Sequence, residues 1–311
     1  DFQVLSWVQD LHWVGAMNSN CTQIHSKGSS CPDTGSLVRN GRFFRKSDSK
    51  YVQRWRCTKC QKTVSLATGS ACFGQNKRRV NEPLRMLLGS GVSQRRAAFI
   101  LNIHPITVAR KLRFLARQAK LTQAEYLRRF EKAPLLNVQF DEMETFEHTK
   151  LKPLSIALAV CEGSRKILDI QVSSMPAKGH IASLSRKKYG RRADARAQAM
   201  KTIFQNIRTY LKPDAILLSD KNPKYPGWLK SQNTSWQHLT TKGNRSSIVG
   251  QGELKKIGFD PLFALNHTCA MIRANINRLV RRTWCTTKKI ECLADHLALY
   301  MDFHNRELTE K

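Results

Sequence analysis

Two aspartates each close a short apolar run in this chain. In Leu135-Leu-Asn-Val-Gln-Phe-Asp141, the residues Leu136, Val138 and Phe140 alternate as in a β-strand. Ala215-Ile-Leu-Leu-Ser-Asp220 repeats the design. Neighbouring buried strands of this kind present paired carboxylates where the sheet is expected to stop. Such pairs mainly hold divalent cations, because hard cations take oxygen ligands and adjacent carboxylates repel until a cation lies between them. The plainer reading, that each aspartate caps the turn after its strand, suits one such residue better than two in so basic a chain.

A second group of candidate ligands lies near the start. Cys57-Thr-Lys-Cys60 makes a tight knuckle whose two thiolates can share one tetrahedral zinc. Cys31-Pro-Asp-Thr34 has the form of a second knuckle with its second Cys replaced. That makes Cys31 the third candidate, with Cys21 or His25 as the fourth. The expectation is one structural zinc in a small ribbon; the alternative is a ribbon that no longer binds metal and stands on a β core of Val38, Phe43, Phe44, Tyr51, Val52 and Trp55. Arg39, Arg42, Arg45, Lys46, Lys50, Arg54 and Arg56 interleave that core, a pattern suited to phosphates.

The elements between these groups are helical. Residues 3 to 14 have apolar positions at helical spacing. Past the basic link Lys77-Arg78-Arg79, Asn81 can cap a helix with Pro83 in its first turn, ending at Gly89-Ser-Gly91. Ser93 can cap the next helix, through Leu101. After the turn Asn102-Ile-His104, Pro105 at N1 starts another, through Leu115. With Ala97, Leu101, Ile103, Val108 and Leu112 facing inward, the pair fits a helix-turn-helix that offers Thr107, Arg110, Lys111 and Arg113 to DNA. A helical hairpin used only for packing is the bland alternative. A basic linker helix over 117–132 follows, ending before Pro134.

Composition bounds the function classes. Lys plus Arg number 53 against 23 acids in 311 residues, a formal charge of +30, which calls for a polyanionic partner. Apolar residues make up 41% and aromatics 8%, too much for a disordered basic tail. No stretch approaches the apolar length of a transmembrane helix, so no membrane partner is expected. The opening residues lack the basic and apolar regions of a signal peptide, and the missing Met leaves open a start further upstream. Nine unevenly spaced Cys suggest reduced thiols and metal binding rather than a disulfide scaffold.

Beyond residue 133 the pattern is α/β. Strands are expected at Leu135–Asp141, Pro153–Cys161, Lys166–Val172, Ala215–Asp220 and Trp236–Leu239. A basic loop spans Ser185–Arg192. A helix carries Ala199, Ile203, Ile207 and Leu211 and stops at Pro213. A Gly-rich basic loop from Lys242 to Lys256 precedes a long final helix capped by Asp260, with Pro261 at N1. Three antiparallel strands, a helix, further strands and a last helix is the order of an RNase H-like mixed sheet with flanking helices. The expected division is a ribbon domain over 1–76, a helix-turn-helix domain with its linker helix over 77–132, and an RNase H-like domain over 133–311.

Three segments carry a resemblance: Asp141-Glu-Met, Ser219-Asp220-x4-Tyr225, and the run from Asp260-Pro-Leu-Phe-Ala-Leu-Asn-His through Arg273 to Arg281-Arg-Thr-Trp284. Preceded by a ribbon and a helix-turn-helix, they resemble a bacterial insertion-sequence transposase of the DDE superfamily, over nearly the whole chain. The resemblance implies two Mg²⁺ or Mn²⁺ ions per active site, which activate water and then a DNA 3′-hydroxyl for attack on phosphodiesters. Asp141 and Asp220 match the first two carboxylates. It also implies element terminal repeats and target DNA as partners, a homo-oligomer on DNA, and a cytoplasmic, nucleoid-associated protein.

The third ligand departs from the usual pattern. Asn266 stands where such transposases generally carry Glu, as in some branches of these elements, with Arg273 two turns later on the same face and placed to contact a substrate phosphate. An amide oxygen ligates Mg²⁺ but adds no negative charge. Glu253 is a rival by its spacing from Asp220; His267 is adjacent to Asn266 but turned about 100° around the helix. Two other functions stay open: a non-catalytic sequence-specific DNA-binding protein, kept alive by Asn266, and a structure-selective nuclease that cuts without joining.

Overall fold

β-Branched and aromatic residues set the first described elements. Val38, Phe43 and Phe44 lie on β1 (Leu37–Arg45), Tyr51, Val52 and Trp55 on β2 (Lys50–Cys57), and Val64 centres β3 (Thr63–Ser65). The computed structural model describes residues 36–46, 49–65, 70–232, 234–241, 260–280 and 285–308. The expected helix over 3–14, the ligand candidates Cys21, His25 and Cys31, the loop with Glu253, and residues 281–284 lie outside them. The chain divides into two compact units, Asp1–Asn81 and Glu82–Lys311.

In the first unit the three strands form an antiparallel meander in the order β1-β2-β3. The register slips between Arg39 and Arg42, where Gly41 at φ 70° supplies the left-handed conformation of the bulge. Only part of the expected β core is a core. Val52 and Val64 are buried, but Val38, Phe43, Phe44 and Tyr51 are exposed. A three-stranded sheet of this size has too little covering surface to hide aromatics on both faces.

The second unit begins with helices. Helix α1 (Asn81–Gly89) leads to α2 (Gln94–Ile100), whose cap Ser93 accepts from the Arg96 amide at 3.3 Å. The connection turns at Asn102, φ 48°, and α3 (Pro105–Leu127) starts with Pro105 at N1 and His104 Nδ1 accepting from the Ile106 amide. Ala97, Ile103, Val108 and Leu112 are buried as expected; Leu101 is half-buried. Helix α3 does not stop near Leu115: its apolar stripe continues through Leu115, Ala116, Ala119 and Leu127, and it packs against the last helix of the chain. A break at Arg128 gives α4 (Arg129–Lys132).

The sheet of the second unit contains β4 (Leu135–Phe146), β5 (Pro153–Cys161), β6 (Ile167–Ser174), β7 (Leu211–Asp220) and β8 (Gln237–Thr241). Helices α5 (Ala182–Tyr189) and α6 (Arg196–Ile207) lie between β6 and β7, and α7 (Tyr225–Lys230) between β7 and β8; α8 (Phe263–Asn275) and α9 (Ile290–Phe303) follow. Strand order is β6-β5-β4-β7-β8. Strands β4, β5 and β6 are antiparallel neighbours, while β7 runs parallel to β4, and β8 to β7. Helix α6 covers one face through Met200, Ile203, Phe204 and Ile207 against Val138, Phe140, Ala157 and Leu217. Helices α8 and α9 cover the other, through Leu265, Cys269, Ile272, Leu297 and Tyr300 against Met143, Ile156 and Leu158. Among the described residues no helix is long and apolar enough to cross a membrane.

Several local expectations change. The basic stretch at Ser185–Arg192 is helical in its first part, ending at Tyr189 before Gly190. Leu211 and Pro213 belong to β7 rather than to the preceding helix. The expected long final helix is two helices, α8 and α9, and the first starts at Phe263. Asp260 still serves that start, its Oδ1 accepting from the Leu262 amide and its carbonyl from the Phe263 amide.

Candidate active site

Asp141 lies in the middle of β4, not at its end. Along the β5 side it is fully paired, opposite Leu158. Along the β7 side the pairing stops at Gln139 with Leu218. Two residues beyond that pair stand Asp141 on one strand and Asp220, the last residue of its strand, on the other. Side chains two residues apart share a face. Asp141 therefore lies on the face of Met143 and Leu158, and Asp220 on that of Leu218, the face that α8 and α9 cover.

Burial dominates the chemistry of Asp141 and raises its carboxyl to about 6. Hydrogen bonds from the Glu142 amide and the Tyr225 hydroxyl lower it; the charges of Asp220 and Glu142 raise it. The Tyr225 ring packs 5.1 Å from that of Phe140, and its hydroxyl donates to Asp141 Oδ1. Asp220 Oδ1 accepts from the Asn222 amide at 3.1 Å, which fixes the turn after β7. Glu142 accepts from the Ser155 hydroxyl at 2.6 Å, and its carboxyl is also raised, chiefly by burial.

Helix α8 is fastened over these carboxylates by Gln139, which is buried. Its Oε1 accepts from the Leu265 amide at 3.0 Å, and its Nε2 donates to the Pro261 carbonyl at 2.8 Å. A buried primary amide with both ends engaged on the start of a helix sets where that helix begins. The next residue, Asn266, is half-buried and donates from Nδ2 to Asp260 Oδ2 at 3.0 Å. One turn on, burial first and the Asp141 charge second push the Cys269 thiol up to about 12, so α8 passes close to Asp141. His267 belongs elsewhere: burial and the Arg165 charge lower its imidazole, and its ring lies 5.6 Å from Phe263. Arg273 is exposed.

Among the described residues no three His, Cys, Asp or Glu side chains gather into a metal-holding group. The donor set on the neighbouring strands is two carboxylates, Asp141 and Asp220; Asn266 lies on α8 with its amide engaged by Asp260. A cation suits it, because the charges beside the partly desolvated Asp141 are Asp220 and Glu142, both negative.

The other candidates scatter over both units. In the first, Cys57 is buried and Cys60 half-buried on a tight turn: the Cys57 carbonyl accepts from the Gln61 amide, its amide donates to the Lys62 carbonyl, and Gln61 has φ 61°. The pair fits half of a tetrahedral zinc site. Lys77 and Arg79 are exposed; Arg78 is half-buried and donates to the Gln75 carbonyl. In the second unit Arg110 and Arg113 are exposed on α3 and Thr107 is half-buried. Lys111, expected on the outer face, is buried instead, one position before Leu112 on the packed stripe.

Sequence reasoning passed over Gln139, a polar residue inside an apolar run. It also passed over Cys72, whose Sγ accepts from Asn81 Nδ2 at 3.4 Å. Tyr225 entered it only as part of a motif, although an aromatic five residues after a strand-end aspartate is a usable signal. No protein-family model matches the chain, and no curated protein matches it.

Proposed function

We propose that this chain is a DNA transposase of the DDE type, binding the ends of a mobile element and cutting and joining DNA strands. The observation that carries the reading is the placement of Asp141 and Asp220 on adjacent parallel strands, on the one face that α8, bearing Asn266, covers. The strand order β6-β5-β4-β7-β8, with three antiparallel strands and two parallel to the central one, supports an RNase H-like assignment for the second unit. The paired helices α2 and α3 with exposed Arg110 and Arg113 support a helix-turn-helix, and the Cys57–Cys60 turn supports a zinc ribbon.

Asp141, Asp220 and Asn266 would hold the divalent cations, which when bound supply an activated oxygen nucleophile and neutralise charge on the phosphate. The chain's own residues do the rest. Tyr225 holds the Asp141 carboxylate in its ionised, ligating form. Gln139 fixes the start of α8 over the sheet face that carries the two carboxylates. Arg273, exposed on α8, is available to a phosphate.

The test uses duplexes ending in the DNA that borders the coding sequence, one strand pre-cleaved, with a supercoiled plasmid target and Mg²⁺ or Mn²⁺. Joined products are expected from the native chain and none from Asp220→Asn. Cutting without joining would make the protein a nuclease. Binding without either would favour the second reading, a DNA-binding regulator or inactive derivative, which the neutral Asn266 in the third ligand position supports.

A further inference from the structure

The meander of the first unit has an unusual face. Antiparallel partners share a side of the sheet, so Phe44 with Tyr51, Arg42 with Gln53, and Arg39 with Trp55 lie together. Toward Cys57 this face is closed. Toward the β1–β2 turn it opens: Tyr51 is 74% exposed and Phe44 49%, their ring centroids 5.2 Å apart. Arg42, the next position on this face, is exposed with its Nε braced on Gln53 Oε1 at 3.1 Å, and Arg39, exposed opposite Trp55, lies further along the same face. The two strands and their turn carry seven cations (Arg39, Arg42, Arg45, Lys46, Lys50, Arg54, Arg56) against one carboxylate, Asp48, and on the face of the two rings the charged side chains of the strands are Arg39 and Arg42.

Two exposed rings in so cationic a setting select their ligand. An apolar partner protein would have to desolvate the surrounding guanidinium groups, and a second copy would bring like charge against like. The phosphates of a duplex satisfy the arginines but leave the rings without partners, since its bases are stacked on one another. An unpaired strand satisfies both: its bases stack on the rings while its phosphates meet the cations. We propose that the Phe44–Tyr51 face binds single-stranded DNA by stacking unpaired bases, flanked by Arg39 and Arg42 on the phosphates. The inference stands on this unit alone and does not rest on the strand-transfer reading.

The test measures fluorescence anisotropy with the full-length protein and four 20-residue probes: oligo(dT), an abasic oligomer of equal charge, a mixed-sequence duplex, and oligo(rU). Tyr51→Ala is expected to weaken oligo(dT) binding about tenfold while changing the duplex and the abasic oligomer less than twofold. Tyr51→Phe keeps the ring and should bind like the native chain. Arg42→Ala should weaken all four probes and flatten their salt dependence. Tyr51 is largely exposed, so its variants are expected to fold, and a thermal melt of each checks this. Equal losses on oligo(dT) and the abasic oligomer would reduce the face to a charge patch and overturn the proposal. So would unchanged oligo(dT) binding with an altered oligomeric state in sedimentation, or oligo(rU) bound more than tenfold tighter than oligo(dT).

Discussion

The Tyr225 hydroxyl donates a 2.7 Å hydrogen bond to Oδ1 of Asp141, joining residues 84 apart in the chain. Burial, and then the Asp141 charge, hold the phenol above its usual range, so Tyr225 stays a donor at every working pH. The bond favours the ionised carboxylate that burial opposes. Tyr225→Phe should therefore raise the Asp141 carboxyl further. The pH midpoint of Mn²⁺ binding, followed by calorimetry, is expected to move up by as much as about one unit. An unmoved midpoint would leave Tyr225 as packing alone.

Asp141→Asn should make the metal-free protein more stable. The folded carboxyl titrates near 6 against 3.8 unfolded, so between those values the folded state holds more protons and stability falls as pH rises. The neutral amide removes that loss. In urea unfolding with chelator, the variant is expected to exceed the native chain by about 1–3 kcal/mol above pH 6, with the difference vanishing below about pH 4. It should abolish cutting and joining. A variant less stable than the native chain at pH 8 would contradict the buried, repelled carboxylate.

Asn266 has a neighbour that its sequence position hides. Its amide donates to Asp260 Oδ2, so Asn266→Asp sets two carboxylates about 3 Å apart and should cost stability at neutral pH. Adding Asp260→Asn to that variant should restore it. Asn266→Ala removes the ligating oxygen and should lose most strand transfer, whereas Glu253→Gln should be nearly silent. Strand transfer lost in Glu253→Gln and kept in Asn266→Ala would move the third ligand to Glu253.

Gln139→Leu keeps the volume but strands the Leu265 amide and the Pro261 carbonyl. A loss of about 1–3 kcal/mol is expected in unfolding experiments. Because Gln139 positions α8, the residual protein should also bind Mn²⁺ more weakly than native. Full stability with unchanged metal affinity would show that α8 is held by its apolar face alone.

On DNA, Arg110→Ala should cost roughly 1–3 kcal/mol and blunt discrimination between element ends and random duplex. Arg78→Ala should weaken both about equally and flatten the salt dependence. Lys111→Met changes a buried residue, and its effect should appear in the melting temperature rather than in sequence preference.

The sequence carried the sheet well because its strands are apolar runs bounded by turn residues. Pro153–Cys161 is the strand it described, and the two aspartates fell on neighbouring strands as their flanking residues implied. It misplaced Asp141 at a strand end because alternation continues as Met143 and Thr145 while pairing is lost only on the β7 side, and a single sequence does not reveal which edge a residue faces. It ran the last helix on from Asp260 because the polar stretch before Ile290 contains no Pro or Gly to announce a break. Lys111 looked like an outer-face cation because its charge, not its angular position beside Leu112, was weighed. Gln139 was illegible in principle: besides Glu162, its partners are backbone groups 122 and 126 residues away.

The continuity of α3 makes it a spacer. Its first turns carry Arg110 on the surface, while further along Gln123 donates to the Ile167 and Leu168 carbonyls and accepts from Asn305. Between Arg110 and Gln123 the helix spans about 20 Å with no hinge. On the proposed function, DNA bound at the near end would be held at a set distance from the sheet, and the interval between recognised and processed nucleotides would be measured by a rod rather than searched by a tether.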